Sequence, residues 1–330
     1  MPNKRDFRVD GIKLFLIVLV TLGHALESCI SNPISNRLYS AIYLFHMPAF
    51  ILVSGYFASV SSKDKLIKKA IAFIETFLVI MIPQCLFFGR ITPLLNPENS
   101  GWYLLSMIFW YSIVCLLDKY SLIMRNVGGG KILIISIVLS FIVFLLPLRM
   151  YGNLFSFQRT FMFLPYFIFG YILKKQGRSL IPKFTSRMRL LIGMGSIVSI
   201  VLCMVYSGRL LHVLEFNNAN IWFISNLYEK DPLNLLLLKI AICMGAIITT
   251  AGVLLFIRLP KSISQLGSQT LVFYVVQGIL VHIVARQFSL SFLLSVILSM
   301  ISIIVSLLLI KSVNLKYITN PISSILKWKN

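Results

Sequence analysis

Residues 11–29 read GIKLFLIVLVTLGHALESC. Wound as a helix, a stretch of that length reaches about 28 Å, the thickness of a bilayer's hydrocarbon core. It carries Lys13 and His24, and no small-residue cleavage pattern follows it, so it reads as a retained span and not as a cleaved secretory signal. Runs of the same character recur near 38–59, 70–88, 102–118, 132–148, 157–173, 190–206, 234–257, 267–285 and 290–310. The spacing predicts an all-α, polytopic transmembrane helical bundle of about ten helices. It fills residues 1–330 as a single membrane domain with no separate soluble domain.

Composition agrees. Of 330 residues, 58% are hydrophobic and 12% charged, against roughly 25% charged in an ordinary soluble domain. The net charge of +21 comes from 31 Lys and Arg against 10 Asp and Glu, a balance that often marks nucleic-acid binding. Here the location of the charges gives another cause. With the N-terminus inside, the loops and ends on that side hold Lys4, Arg5, Arg8, Lys63, Lys65, Lys68, Lys69, Lys119, Arg125, Lys131, Lys174, Lys175, Arg178, Lys183, Arg187, Arg189, Arg258, Lys261, Lys311, Lys316, Lys327 and Lys329. The opposite loops hold mainly Arg37, Arg90, Arg149, Arg209, Lys230 and Arg286. One alternation of sides explains the bias, which puts both termini in the cytoplasm and removes the need for a nucleic-acid partner. The expected location is the inner (plasma) membrane, multi-pass. Five cysteines lie in or beside spans with no CxxC spacing and read as small apolar residues, so neither disulfides nor a metal is expected. The longest outer loop, about 207–233, contains Arg209, His212, Glu215, Trp222 and Tyr228, polar and aromatic enough to touch a substrate.

Ionisable groups inside a span are costly, so they are where function is sought. Asp10, Lys13 and His24 share one stripe of the first span. The step from Lys13 to His24 turns to within about 20° of a whole number of turns and rises about 16 Å. The basic group therefore sits near the cytoplasmic surface and the imidazole well toward the outer side. The second span runs the other way and carries Phe45-His46-Met47-Pro48 followed by Ser54-Gly55-Tyr56, which puts His46 in the outer half too. Two histidines at similar depth make a general-base site, since neutral imidazole takes a proton from a hydroxyl.

At this level of detail the chain resembles the membrane-bound acyltransferase-3 family, and within it the fucose 4-O-acetylase-like branch. The segments that carry the resemblance are Asp10-Gly11-Ile12-Lys13 leading to Gly23-His24, and Tyr43-Leu44-Phe45-His46-Met47-Pro48 with Ser54-Gly55-Tyr56-Phe57. Gly101-Trp102-Tyr103-Leu104, Phe163-Leu164-Pro165-Tyr166-Phe167 with Gly170-Tyr171, and Leu266-Gly267-Ser268 with Tyr274 follow in the family's order. The resemblance implies transfer of an acyl group, usually acetyl from acetyl-CoA, to a hydroxyl of a cell-surface, polysaccharide or lipid-linked sugar acceptor, beside glycan-assembly proteins. Acyl-CoA would be a co-substrate; no tightly bound cofactor is implied. The family's basic-residue, ten-residue gap, histidine signature maps to Lys13 and His24, with His24 as general base and His46 and Asp10 as further catalytic candidates. Lys65 and Lys68 stand where the family often has paired arginines that hold CoA phosphates. Arg159 resembles a recurrent family arginine suited to the oxyanion or the sugar, and Trp102 and Tyr103 suit stacking on a sugar ring. Where the family commonly has Tyr, two apolar residues and His, this chain reads Tyr274-Val275-Val276-Gln277. Tyr274 and Gln277 are expected at the acceptor or the oxyanion, where glutamine can position a group but cannot titrate.

Each of these residues also has a plainer reading. Lys13 can snorkel to the interface, Lys65 and Lys68 can set topology, and Arg159 can anchor a helix end. Trp102 and Tyr103 fit an aromatic belt, the His46 segment can shape a helix, and Glu75 suits an internal counter-ion. The other functional class open at this stage is a proton-coupled transporter or flippase for a sugar lipid or metabolite, with the histidines as relays; no convincing internal repeat accompanies it.

Overall fold

Backbone amides and carbonyls in hydrocarbon must find partners within their own segment, so the apolar runs have one available form and the polar breaks between them supply the caps. The computed structural model describes residues 6–60, 62–95, 97, 101–119, 121–145, 154–181, 183–208 and 232–312. Its helices are α1 (Phe7–Leu26), α2 (Pro33–Tyr56), α3 (Lys63–Phe88), α4 (Thr92–Leu95), α5 (Trp102–Lys119) and α6 (Ser121–Leu145). They continue as α7 (Phe157–Lys175), α8 (Ser186–Val205), α9 (Pro232–Phe256), α10 (Lys261–Ser264), α11 (Thr270–Gln287) and α12 (Phe292–Ser312). The first span starts earlier than its apolar run because Asp6 caps it, its carboxylate accepting the N–H groups of Arg8 (2.9 Å) and Val9 (3.3 Å). Ser62 and Thr185 cap α3 and α8 in the same way. Gly89 ends α3 at φ 61°, and Gly128 (φ 73°) interrupts α6.

Nine helices among the described residues are long and apolar enough to cross a membrane. They match nine of the ten expected spans. The tenth, α7, has the length of a span, but Gln158, Arg159, Lys174 and Lys175 dilute its ends.

The described residues gather into two compact units. The first comprises Met1–Val53, Ser179–Leu211 and Ile242–Ser312. Its centre is α1, whose Ile12, Leu16 and Ile17 are wholly buried, and which packs along its length against α10, the 3-10 turn Gln265–Gln269, α11 and α12. Gly267 makes this approach possible: a Cβ there would stand 1.7 Å from the Asp10 carbonyl oxygen. Helix α12 is built inside out. Ser295, Ser299, Ser302 and Ser306 are buried at 0–4% exposure, while Leu293, Ile304 and Leu308 are 54–65% exposed. Small polar residues at the contact and large apolar ones outward is how a helix packs when its solvent is lipid. All five cysteines are free, and Cys29 sits within hydrogen-bonding distance of Ser35 (3.0 Å) and Ser295 (3.2 Å).

The second unit comprises Ser54–Arg178, His212–Ala241 and Val313–Asn330. Trp110, Phe167 and Tyr171 are its largest fully buried side chains. The Trp110 indole N–H donates to the Thr160 carbonyl (3.0 Å), and the Ser106 and Thr160 hydroxyls meet at 2.7 Å. Gly55 lets the end of α2 press on α7, where a Cβ would lie 2.0 Å from the Phe167 carbonyl oxygen. At the Lys175 end of α7, Asp118 accepts the Tyr171 hydroxyl at 2.5 Å and pairs with the Lys175 ammonium at 2.5 Å.

Candidate active site

Three turns of helix separate two groups of charge on α1. Near its start, Asp10 (6% exposed) pairs with Lys13 at 3.2 Å, an i,i+3 contact on the expected stripe. Arg8 reaches across to the end of α9, where its Nη2 donates to the carbonyls of Leu254 (3.1 Å) and Leu255 (2.9 Å). These are carbonyls that the helix leaves unbonded, so the guanidinium caps α9. Arg258 and Arg189 lie close enough to Arg8 to repel it, and the Lys261 ammonium sits 4.8 Å from the Phe7 ring centre. This end of the first unit is therefore dense in positive charge. Asp10 belongs to it, about 21 Å along α1 from His24, and serves as the counter-ion of Lys13.

At the other end of α1, His24 is buried and its Nδ1 lies 3.1 Å from Glu27 Oε1, again at i,i+3. Glu27 opens the 3-10 turn Glu27–Cys29 that follows α1, so the turn swings its carboxylate back onto the imidazole. The Tyr43 hydroxyl, from α2, donates to the same Glu27 oxygen and stands 3.2 Å from His24 Nδ1. A carboxylate only accepts, so the shared proton belongs on Nδ1, and the His24 lone pair is left on Nε2. No described residue bonds to that Nε2. Tyr43 is itself held by stacking on Tyr39 (centroids 3.8 Å) and by the edge of His46 (4.7 Å).

His46 is buried, and its Nδ1 donates to the Ile42 carbonyl one turn back at 2.8 Å. Its free nitrogen is thus also Nε2. The two histidines do not touch; Tyr43 stands between them, with its centroid 6.3 Å from that of His24. His282 on α11, buried at 4% exposure, lies close enough to Glu27 and His24 for its charge to act on both. Three buried imidazoles and the half-buried Glu27 carboxylate and Tyr43 phenol thus form a single polar cluster in the first unit. Sequence reasoning found His24 and His46 but not Glu27, the role of Tyr43, or the place of His282. The i,i+3 spacing from His24 to Glu27 was the one available signal. Also on α11, Tyr274 and Gln277 are buried, at 7% and 0% exposure.

The remaining candidates lie in the second unit. Lys65 and Lys68 are exposed in the first turns of α3. Glu75 is buried on the same helix. Trp102 and Tyr103 are buried as well, not displayed in an interfacial belt. Trp102 stacks on Phe163 (5.4 Å) with the Arg159 guanidinium 5.4 Å from its ring centre, and Tyr103 shares a 2.7 Å hydrogen bond with Ser54. Arg159 is 9% exposed, in the first turn of α7. Stacking on a sugar would require Trp102 to use the face not covered by Phe163. Arg209, His212, Glu215, Trp222 and Tyr228 lie outside the described residues.

Comparison with known proteins gives one extensive match and two local ones. Over 61 residues the chain is 46% identical to nodulation protein NolL of Sinorhizobium fredii, a segment that is 17% of this chain and 17% of that protein. It is 39% identical over 61 residues to nodulation protein NolL of Mesorhizobium japonicum, 17% of this chain and 16% of that one. The chain thus matches about a sixth of the length of these curated relatives. No solved structure matches it. The extensive match is to the model of an acyltransferase domain over residues 6–311, from the cap of α1 to the last turn of α12, and by it the chain belongs to the acyltransferase-3 family.

Proposed function

We propose that the chain is an integral membrane O-acyltransferase of the fucose 4-O-acetylase-like branch. It moves an acyl group, acetyl in the first instance, from cytoplasmic acyl-CoA to a hydroxyl of a cell-surface, polysaccharide or lipid-linked sugar. The observation that carries this reading is the buried His24, whose Nδ1 is tied to Glu27 and Tyr43 while Nε2 is left as a base. His24 Nε2 takes the proton of the acceptor hydroxyl as its oxygen attacks the thioester carbonyl. The carbon–sulfur bond breaks, and the imidazolium returns its proton to the departing thiolate, releasing CoA as the thiol. Glu27 holds the ring in the required tautomer and offsets the charge of the imidazolium.

The positive end of α1 supports the choice of donor. Lys13 with Arg8, Arg189 and Arg258 suits CoA phosphates, while the pantetheine arm runs along α1 toward the imidazole. By the resemblance alone, Lys65 and Lys68 are assigned to CoA phosphates and Arg159 to the oxyanion or the acceptor. The loop charges support both termini inside, and the plasma membrane is the location that goes with this reading.

The test is acyl transfer in membranes given acetyl-CoA labelled in the acetyl group, beside a well-expressed His24→Ala variant. Label in glycan or lipid-linked sugar that falls by about 10²–10⁴-fold in the variant is the expected result. Equal label in both removes His24 from catalysis. The cluster of His24, His46 and His282 around Glu27 is what favours the second reading, a proton-coupled transporter or flippase. That reading requires activity without any acyl-CoA.

A further inference from the structure

Gln277 is wholly buried, and both ends of its carboxamide, Oε1 and Nε2, lack a hydrogen-bond partner among the described residues. It stands in the middle of a span, where no bulk water can supply one, and such groups are kept only for a reason.

Its position along the bundle is well defined. Gln277 and Val281 are one turn apart on the same face of α11, and Val281 packs against Ala25 of α1. Further down, Gly267 sits on the Asp10 carbonyl. From Gly267 to Val281 the chain rises about 22 Å, with three residues in the 3-10 turn and the rest in α-helix, and from Asp10 to Ala25 it also rises about 22 Å. The two segments therefore run in step. Gln277 falls level with Thr21, about 5 Å short of His24 along α1 and on its Lys13 side. Thr21 makes no bond to it; its hydroxyl donates to the Ile17 carbonyl at 3.0 Å.

A carboxamide offers an acceptor and a donor, and either one can meet an edge of a secondary amide, whose carbonyl and N–H point to opposite sides of its trans plane. The pantetheine arm of acyl-CoA carries such an amide two carbons from its sulfur, about 4–5 Å away by ordinary bond lengths. A thioester presented at His24 by an arm arriving from the Lys13 end puts that amide at the depth of Gln277. We propose that Gln277 binds the pantetheine amide nearest the sulfur, as a donor-binding residue that fixes how far the thioester advances. This rests on the reading of the chain as an acyl-CoA-dependent enzyme. It also gives a physical account of glutamine at a position where the resemblance implied histidine.

The test is competition binding on the purified full-length protein, with labelled acetyl-CoA displaced by acetyl-CoA or by an analogue whose sulfur-proximal amide is replaced by two methylenes. Wild type is expected to bind the analogue about tenfold more weakly, and Gln277→Leu to bind both ligands equally, about tenfold more weakly than wild type binds acetyl-CoA. The thermal midpoint of the unliganded variant should hold or rise, since two unmet polar groups are removed. Gln277→Met, closer in shape, is the second variant if Leu fails to fold. Additive losses from variant and analogue, or a variant that falls in stability yet still discriminates the analogue, overturn the assignment and leave Gln277 as a structural or water-bridging group. Wild type that binds no acetyl-CoA overturns the acyl-CoA reading itself, and this inference with it.

Discussion

Replacing Glu27 by Gln keeps the shape of the turn after α1 and removes the charge that His24 and Tyr43 both address. The carboxylate accepts from Nδ1 of His24 at 3.1 Å and from the Tyr43 hydroxyl. A hydrogen bond to a charged group contributes about 1.5–3 kcal/mol net, and the share lost with the charge grows as the imidazole becomes imidazolium in the transition state. At about 1.4 kcal/mol per tenfold, Glu27→Gln should lower kcat by roughly 10–10²-fold with little change in KM for the donor. An amide can also turn its N–H toward Nδ1 and favour the wrong tautomer, which pushes the loss to the upper end. Tyr43→Phe leaves the His24–Glu27 pair intact and removes the carboxylate's other bond, also about 1.5–3 kcal/mol; because that bond changes less between ground and transition state, the loss in kcat should be about tenfold or less. The assay is initial-rate transfer from labelled acetyl-CoA in membranes, normalised to protein level, with His24→Ala as the floor. A Glu27→Gln enzyme within twofold of wild type, over a dead His24→Ala, would refute the idea that the carboxylate orients the base.

Two further outcomes test the packing that holds the site. Gly267→Ala forces a Cβ to within 1.7 Å of the Asp10 carbonyl oxygen, so backbone must move; a loss of about 1–3 kcal/mol should show as a lower thermal midpoint in detergent. Arg8→Ala frees the carbonyls of Leu254 and Leu255 and should lower stability by about 1.5–3 kcal/mol, with Arg8→Lys restoring only part, because an ammonium lacks the planar fork.

The ten apolar runs were legible because lipid imposes a length and a composition on each span. The run at 157–173 was the least apolar for a reason visible in its letters, since Gln158, Arg159, Lys174 and Lys175 occupy its ends. The stripe of Asp10, Lys13 and His24 was legible through helical periodicity alone. Glu27 was not, because it lies past the last α-helical residue, in a 3-10 turn whose direction local sequence does not announce. Tyr43 and His282 reach His24 from other helices, and pairing between helices leaves no trace in the spacing of either one. The motif glycines form a middle case. Gly55 and Gly267 were visible as parts of a pattern, but only the carbonyls of Phe167 and Asp10 pressed against them explain why no side chain fits.

That contact between Gly267 and Asp10 also works as a pin against sliding. A one-turn ratchet of α1 along its neighbour, about 5.4 Å, would drag the next side chains, Lys13 or Leu14, across a gap cut for bare backbone. Axial piston strokes of α1 are therefore blocked, and the reach from Lys13 to His24 acts as a rigid gauge. On the proposed function, a donor then needs an arm of matching length, since the helix does not move to meet a shorter one.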